Sequence, residues 1–242
     1  MTMSEFSLEA YQELLLAFRA AEYSFSRFEE IDQRLAEQRP FVILRHDIDI
    51  SLRAALEVAR VEYNQGIQAS YFVPLNSPFY NTLSSPNANL LCQIHEMGHE
   101  IALHVDLRPY YGDCARALTE VAILARFYPY INSELVSLHS PIALNKELVE
   151  PFPPLNNVYS HFLHNQVAYI SDSTGRWRYG HPLDSPAFYN RQPLQLLTHP
   201  IWWTQEGESP RKKLEYWLQG DYQHNLAIAK EYLPKLFRTT EI

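Results

Sequence analysis

Apolar segments of strand length end abruptly in ionisable side chains. Residues 41–44 (Phe-Val-Ile-Leu) run into Asp47 and Asp49, and residues 101–103 (Ile-Ala-Leu) run into His104. The carboxyl ends of buried parallel strands meet at one edge of an α/β sheet or barrel, where ligands bind. The pattern therefore predicts a parallel α/β fold with a polar site at that edge.

Two later segments repeat the pattern. Residues 135–138 end in His139, and residues 194–198 end in His199. Asp and His are common ligands of zinc, although such nitrogen and oxygen ligands also suit nickel, iron or manganese. Four strand ends that supply them predict a divalent-metal site, for which hydrolysis is the usual purpose.

Strand-like and helix-like segments alternate, with connections long enough for parallel pairing. Helices are expected at 7–21, 26–38, 51–65, 113–127 and 210–237 (with a break at Gly220), and one ends at Met97 after a loop at 76–89. The stretch at 141–157 is expected to be irregular. We expect one domain over residues 1–242: N-terminal helices to residue 40, a distorted (β/α) barrel or strongly curved parallel sheet at 41–205, and C-terminal helices at 206–242.

The net charge and the hydropathy of the chain indicate where in the cell the protein is expected and which classes of partner are poor candidates. The net charge is −8, with basic residues scattered, so nucleic acids and anionic membranes are poor candidate partners. No apolar run approaches the ~20 residues of a membrane helix, and no signal peptide is visible at the N-terminus. Cys92 and Cys114 match no metal or redox spacing. A cytoplasmic protein is expected, and its oligomeric state is left open.

Asp47 and Asp49 are two residues apart, so both side chains can face the same side of a strand. Paired carboxylates can divide the work of hydrolysis, one binding the metal and the other acting as general base. The structural alternative is that Asp49 lies at the start of the helix that Ser51 opens.

A second metal hypothesis comes from residues 95–99, which spell the H-E-x-x-H signature of zinc proteases. In that signature two histidines one helical turn apart bind zinc. Gly98 lies inside the motif and indicates that the helix ends there, which would place His95 and His99 on different elements. The protease therefore stands as the less favoured alternative.

Several tryptophans lie near the polar segments. Trp177 follows Asp172, and Trp202 and Trp203 follow His199. Their flat apolar rings could stack on a sugar or an acyl group, or could equally belong to the core or to a lid.

Taken in order, six segments between residues 41 and 203 resemble the motifs of the polysaccharide deacetylase superfamily (the NodB-homology or carbohydrate esterase family four type). They are Arg45-His46-Asp47-Ile48-Asp49, residues 68–73, residues 98–104, His139-Ser140-Pro141, residues 172–177 and residues 196–200. The resemblance implies a metal-dependent enzyme, usually with zinc, that hydrolyses the amide bond of an N-acetylated carbohydrate.

By position, the resemblance implies a role for each of the following residues. Asp47 would be the general base and Asp49 a metal ligand. His104 would be the first metal histidine, and His199 the general acid. Asp172, Trp177 and Trp202 would contact the substrate, a small molecule or an oligosaccharide. Since no signal peptide is visible, an intracellular sugar such as a nucleotide- or lipid-linked precursor is expected.

The chain departs from the family pattern at three places. Ile48 separates two aspartates that are adjacent in the family, so base and ligand could be exchanged. Arg108 stands where the second metal histidine is expected, so the third ligand is predicted to be His139, then Asp106, or water. His139 also stands in the place of the arginine that orients the base. A catalytically inactive barrel that binds saccharide is therefore the alternative from another class.

Overall fold

The structure, a computed structural model, describes residues 5–110, 113–140, 155–160 and 166–237. Most of the stretch at 141–157 lies outside these residues. The strands are β1 (Ser24–Ser26), β2 (Phe41–Asp47), β3 (Ser70–Val73), β4 (Glu100–Val105), β5 (Asn132–Leu138), β6 (Asn156–Asn157), β7 (Ala168–Ser171) and β8 (Leu194–Thr198).

All eight strands belong to one sheet and every pairing is parallel. The order is β6-β5-β4-β3-β2-β8-β7, and β1 pairs with β2 beside this path. The sheet curls into a half-barrel with flanking helices, which confirms the predicted distorted (β/α) barrel. The carboxyl ends of β2, β4, β5 and β8 consequently lie at the same edge.

The helices are α1 (Leu8–Ala20), α2 (Ile31–Glu37), α3 (Leu52–Asn64), α4 (Ser85–Glu96), α5 (Cys114–Phe127), α6 (Pro186–Tyr189), α7 (Pro200–Thr204) and α8 (Pro210–Tyr232). Serine hydroxyls cap the first turns of α1, α3 and α8, where backbone N–H groups otherwise lack partners. The cap of α3 is Ser51, which leaves Asp49 outside the helix.

Strand alternation divides the side chains of β2 between two apolar clusters. Val42 and Leu44 pack in the large core that contains α1, α3 and α4, whereas Phe41 and Ile43 belong to a smaller cluster inside the half-barrel. The same alternation puts Arg45 and Asp47 on the inner face. Strand β2 thus carries its functional side chains toward the inside of the half-barrel.

A buried polar cluster fixes the outer face of β2 against the helices. Glu62 of α3 is fully buried, and its carboxylate accepts hydrogen bonds from Tyr11 (2.5 Å) and Tyr71 (2.6 Å). The carboxylate also contacts His46, whose Nε2 lies 2.7 Å from Glu62 Oε1. The Nδ1 atom of His46 lies 2.7 Å from Thr198 Oγ1. These bonds tie together α1, α3 and the three central strands β2, β3 and β8.

Three local details of the prediction were wrong. The expected helix at 26–38 is confirmed for most of its length, as a 3₁₀ turn (Phe28–Glu30) followed by α2, but Ser26 ends β1, a three-residue strand with no periodicity to recognise. Helix α4 starts at Ser85, inside the expected loop. The proline in its first turn is compatible with a helix, because the N–H that proline lacks would have no partner within the helix. Gly220 does not interrupt α8, where it costs only about 1 kcal/mol relative to alanine.

Among the described residues, no helix combines the length and the apolar composition needed to cross a membrane.

Candidate metal centre

Asp49, His104 and His139 converge at the carboxyl edge of β2, β4 and β5. Asp49 Oδ1 lies 3.1 Å from His104 Nε2 and 3.1 Å from His139 Nδ1, and the two nitrogens are 3.1 Å apart. The three atoms form an equilateral triangle, which we call the metal triangle. Among the described residues this is the one group of three His, Cys, Asp or Glu side chains with the spacing of a metal site.

The metal triangle fits a divalent ion such as zinc. A tetrahedral zinc with bonds of about 2.0–2.1 Å separates its ligand atoms by roughly 3.3–3.4 Å, close to the observed spacing. Two imidazoles and one carboxylate leave a fourth position open, as catalytic zinc sites do. Asp49, rather than Asp47, is the aspartate that joins the histidines.

Ser137 fixes the orientation of His104. Ser137 Oγ accepts from Arg45 Nη2 at 2.5 Å and lies 3.3 Å from Asp47 Oδ1, to which it can donate its single proton. His104 Nδ1, 2.9 Å from the same oxygen, is then the donor in that contact. The lone pair of His104 therefore resides on Nε2, the nitrogen that faces the metal triangle.

Asp47 is held in a buried ion pair with Arg45. Arg45 Nε and Nη2 donate to its two oxygens at 3.0 and 2.7 Å, and Nη2 also donates to Tyr159 at 2.7 Å. Burial alone would raise the pKa of Asp47, but the charge of Arg45 outweighs it and lowers that pKa. Asp47 is thus kept ionised beside the metal triangle, as a base must be.

His199 forms a dyad with Asp172. His199 Nδ1 donates to Asp172 Oδ1 at 2.6 Å, and Trp203 Nε1 donates to Asp172 Oδ2 at 2.9 Å. The other ring nitrogen, Nε2, lies 3.7 Å from Asp49 Oδ2. Burial would lower the pKa of His199, but Asp172 more than compensates, and the pKa rises to about 9. The imidazole is therefore a proton donor at neutral pH.

The carboxylate of Asp49 and the ring of His139 shift each other's pKa. Burial would raise the pKa of Asp49, but its close contacts with His104 and His139 hold that pKa well below the usual range. The hydrogen bond to Asp49 raises the pKa of His139. The carboxylate of Asp49 is therefore ionised at neutral pH, the form in which it can bind a cation.

A cavity of about 190 Å³ extends from the metal triangle. Its other lining residues come from the loops that follow β3 and β4 and from α5: Pro74, Asn76, Ser77, Pro78, Phe79, Asp106, Arg108, Pro109 and Glu120. A separate, smaller cavity is lined by Asp47, Asp49, His199 and Trp202, among others. Asp49 lines both cavities, whereas His104 and His139 line only the larger one.

Comparisons with known proteins found similarity in solved structures. No family model matches the chain, and no curated protein matches it in sequence. A peptidoglycan deacetylase of Bdellovibrio bacteriovorus, Bd3279, aligns at 13% identity and a TM-score of 0.43 over 84% of this chain. The mutant D285S of peptidoglycan deacetylase PdaC from Bacillus subtilis aligns at 14% identity and a TM-score of 0.44, covering 83% of this chain and 98% of that one.

The chain spans about half the length of the Bdellovibrio protein, 54%. What this chain does depends on the residues of its own site, since one fold hosts many functions.

The remaining predicted site residues are placed as follows. Asp106 pairs with Arg108 through both carboxylate oxygens (2.9 and 2.7 Å) and lies outside the metal triangle, so His139 is the favoured third ligand. Asp172 is fully buried behind His199, which makes it a partner of that residue rather than a surface for substrate. Trp177 packs on Trp203 with ring centroids 5.9 Å apart, and Trp202 is 7% exposed and lines the smaller cavity with His199. Contact of either ring with a substrate stays a prediction.

The H-E-x-x-H segment does not form a metal site. His99 is buried, its Nδ1 accepts from the Ala69 N–H (3.2 Å), and its Nε2 donates to the Ala59 carbonyl (3.1 Å). His95 is exposed at the end of α4, stacked on Tyr130 with ring centroids 4.3 Å apart. Because both His99 nitrogens are engaged by the backbone, the zinc-protease alternative was wrong.

Arg45 and Ser137 are the site residues that the sequence analysis missed. The i, i+2 spacing of Arg45 and Asp47 on one strand was the available signal, because it places both on one face. Ser137 gave no signal, since its role depends on the register that pairs it with His104.

Proposed function

We propose that this protein is a metal-dependent hydrolase of amide bonds, and that its reaction is the deacetylation of an N-acetylated carbohydrate. The observation that carries the proposal is the arrangement of three groups around Asp49. A metal triangle, an ionised buried carboxylate and a protonated histidine meet at the end of a single set of parallel strands.

The metal triangle of Asp49, His104 and His139 would hold the ion. When bound there, a divalent metal polarises the acyl carbonyl and lowers the pKa of a water ligand. Ser137 holds His104 with its Nε2 lone pair toward this position, so the ligand requires no reorientation.

Asp47 would act as the general base. It takes one proton from the attacking water while the water oxygen forms a bond to the carbonyl carbon. Arg45 keeps the carboxylate ionised and fixes both of its oxygens, so that the base is present and oriented before the substrate arrives.

His199 would act as the general acid. Its Nε2 proton passes to the amide nitrogen as the C–N bond breaks, which yields acetate and a free amine. Asp172 holds the ring by Nδ1 and stabilises its protonated form, and Trp203 holds Asp172 in turn.

A direct assay tests the proposal. The metal-loaded protein is incubated with N-acetylglucosamine and its short oligomers, and acetate and free amine are measured together. Equal release of both, lost in Asp49→Ala and His199→Ala, is the expected result. Saccharide binding without any release in the wild type would instead establish the inactive binding barrel.

A further inference from the structure

Asp49 lies in the short connection between β2 and α3, outside both elements. Strand β2 ends at Asp47, and Ser51 caps α3. By contrast, His104 lies within β4, and the backbone N–H of His139 continues the sheet ladder by donating to the last carbonyl of β4 at 2.8 Å. The placement of the Asp49 carboxylate therefore depends on what holds the connection.

The loop between β3 and α4 (residues 74–84) supplies two hydroxyl groups to this connection. Tyr80 Oη donates to the Ile48 carbonyl at 2.6 Å, and Ser77 Oγ donates to the Asp49 carbonyl at 3.2 Å. These carbonyls belong to the two peptide groups on either side of the Asp49 α-carbon. Because peptide groups are planar, their orientations determine φ and ψ of Asp49 and hence the direction of its side chain.

The hydroxyl of Tyr80 stays a donor over the whole physiological pH range. Burial, and then the negative charge of Asp49, raises the pKa of Tyr80 well above its ordinary value, so the phenol remains protonated. Ile48 is held at two further points: its side chain is 1% exposed, and its N–H donates to the Phe72 carbonyl at 2.9 Å. The bond from Tyr80 therefore extends a fixed backbone as far as Asp49.

The loop that carries both hydroxyls is itself anchored. Thr82 Oγ1 donates to the Pro74 carbonyl at 2.5 Å, and a β-bridge joins Asn76 to Asn81. Tyr128, at the end of α5, donates to the Thr82 carbonyl at 2.6 Å. These contacts close the loop on itself and tie it to α5, so its hydroxyls lie on a fixed support.

A metal centre binds its ion tightly when the ligand atoms are in place beforehand. Ligands have to be held within about 0.5 Å of the productive geometry. A free backbone at Asp49 would lose conformational entropy when the ion bound, which would weaken binding. Groups that orient the ligands commonly change metal affinity by about 10–100-fold.

We propose that Tyr80 and Ser77 are positioning residues for the metal centre: their hydroxyls hold the peptide groups around Asp49, so that its carboxylate lies beside the two histidines of the metal triangle before an ion binds. The inference rests on the metal site of the proposed function. Both residues act through Asp49 and are not themselves ligands.

Two tyrosine variants separate positioning from stability. Tyr80→Phe and Tyr128→Phe each remove a hydroxyl that donates to a backbone carbonyl at 2.6 Å, but only the carbonyl bound by Tyr80 adjoins Asp49. Zinc affinity is measured by competition with a chelator, and stability by urea unfolding of the metal-free protein. Tyr80→Phe should raise the Kd for zinc about tenfold and Tyr128→Phe less than about twofold, although both lose a similar amount of stability.

A milder pair of variants at Ser77 decides the matter should Tyr80→Phe not fold. Ser77→Ala removes the hydroxyl and should raise the Kd for zinc about threefold, less than Tyr80→Phe because the bond to the Asp49 carbonyl is the longer one. Ser77→Thr keeps a hydroxyl and should stay close to the wild-type Kd.

Each result bears on the role of the loop hydroxyls. Unchanged zinc affinity in a folded Tyr80→Phe or in Ser77→Ala, or equal weakening in Tyr128→Phe, would overturn that role while leaving the metal site in place. A wild type that binds no zinc would overturn the role and the metal site together. Because the zinc measurement does not depend on hydrolysis, the expected pattern in a protein that releases no acetate would support the role and contradict the deacetylase activity alone.

Discussion

The Nδ1 atom of His199 lies 2.6 Å from Oδ1 of Asp172, and the backbone N–H of His199 lies 3.0 Å from both oxygens of the same carboxylate. One side chain therefore fixes the ring, its tautomer and the position of its backbone. Because Asp172 is fully buried, this contact is protected from solvent screening. This contact, together with the charges of Asp49 and Asp47, outweighs burial and raises the pKa of His199 to about 9.

Asp172→Asn should turn His199 into a weaker base. Without the carboxylate charge the buried ring loses the largest contribution that stabilises its protonated form, so its pKa falls. Proton NMR titration of the metal-free protein is expected to find His199 titrating near pH 9 in the wild type and at a lower pH in the variant.

The same substitution should change the pH profile of the reaction. A general acid works below its pKa, so the alkaline limb of activity should move to lower pH in Asp172→Asn, and kcat at pH 8 should fall by roughly 10–100-fold. Asp184→Asn, in an exposed turn, is the control. An unchanged alkaline limb in Asp172→Asn would show that His199 is not the acid.

Arg45→Met should destabilise the fold through Asp47. The substitution leaves a buried carboxylate unpaired, which costs about 3–5 kcal/mol in the free energy of unfolding. Adding Asp47→Asn should recover part of that loss, since the charge is then gone. Urea unfolding of the wild type, the two single variants and the double variant measures these effects. As a control, Arg53→Met on the exposed face of α3 should change the free energy of unfolding by less than about 0.5 kcal/mol. Additive effects of the two changes would contradict the pairing.

Some residues of the site could be predicted from the sequence, whereas the contacts between them could not. Asp49, His104 and His139 could be proposed as neighbours because each ends an apolar segment, and parallel strands end at one edge. The contact between Asp172 and His199 could not be seen, because it depends on β7 and β8 being adjacent and in register. The fully buried Arg45 was also missed, because arginine is rarely buried without a partner, and its partner is visible only once the strand faces are known.

The fold, like the site, could be predicted only in part from the sequence. The long apolar strands and the amphipathic α3 and α5 carry periodicity, so the parallel architecture could be predicted. Strands β1 and β6 have three and two residues, and their pairing comes from the sheet around them rather than from their own sequence. Glu62 falls within the predicted helix at 51–65, but the helical pattern does not indicate that its carboxylate is buried and accepts hydrogen bonds from two tyrosines.

Glu62→Gln should be costly at neutral pH and less so in acid. The amide replaces a carboxylate that accepts from Tyr11 and Tyr71, so about 3 kcal/mol or more of stability should be lost at pH 7. Burial would raise the pKa of Glu62, but His46 outweighs it and the pKa is lowered. A lowered pKa stabilises the fold above the unfolded-state value near 4.3 and loses that effect as the pH falls through the folded value.

The gap in the free energy of unfolding between the wild type and Glu62→Gln should therefore shrink as the pH is lowered from 6 toward 3. Denaturant titrations at several pH values measure it, with Glu57→Gln as the exposed control on the same helix. A gap that stays constant over this range would mean that Glu62 is not ionised in the folded protein.

The central claim is that Asp49, His104 and His139 bind one divalent metal, and elemental analysis of the purified protein after zinc loading and desalting tests it most directly. About one ion per chain is expected in the wild type and in His95→Ala, and much less in Asp49→Ala, His104→Ala and His139→Ala, all folded by circular dichroism. A wild type that retains no zinc, nickel, iron or manganese after loading, or a His95→Ala variant that loses its ion, would contradict the account.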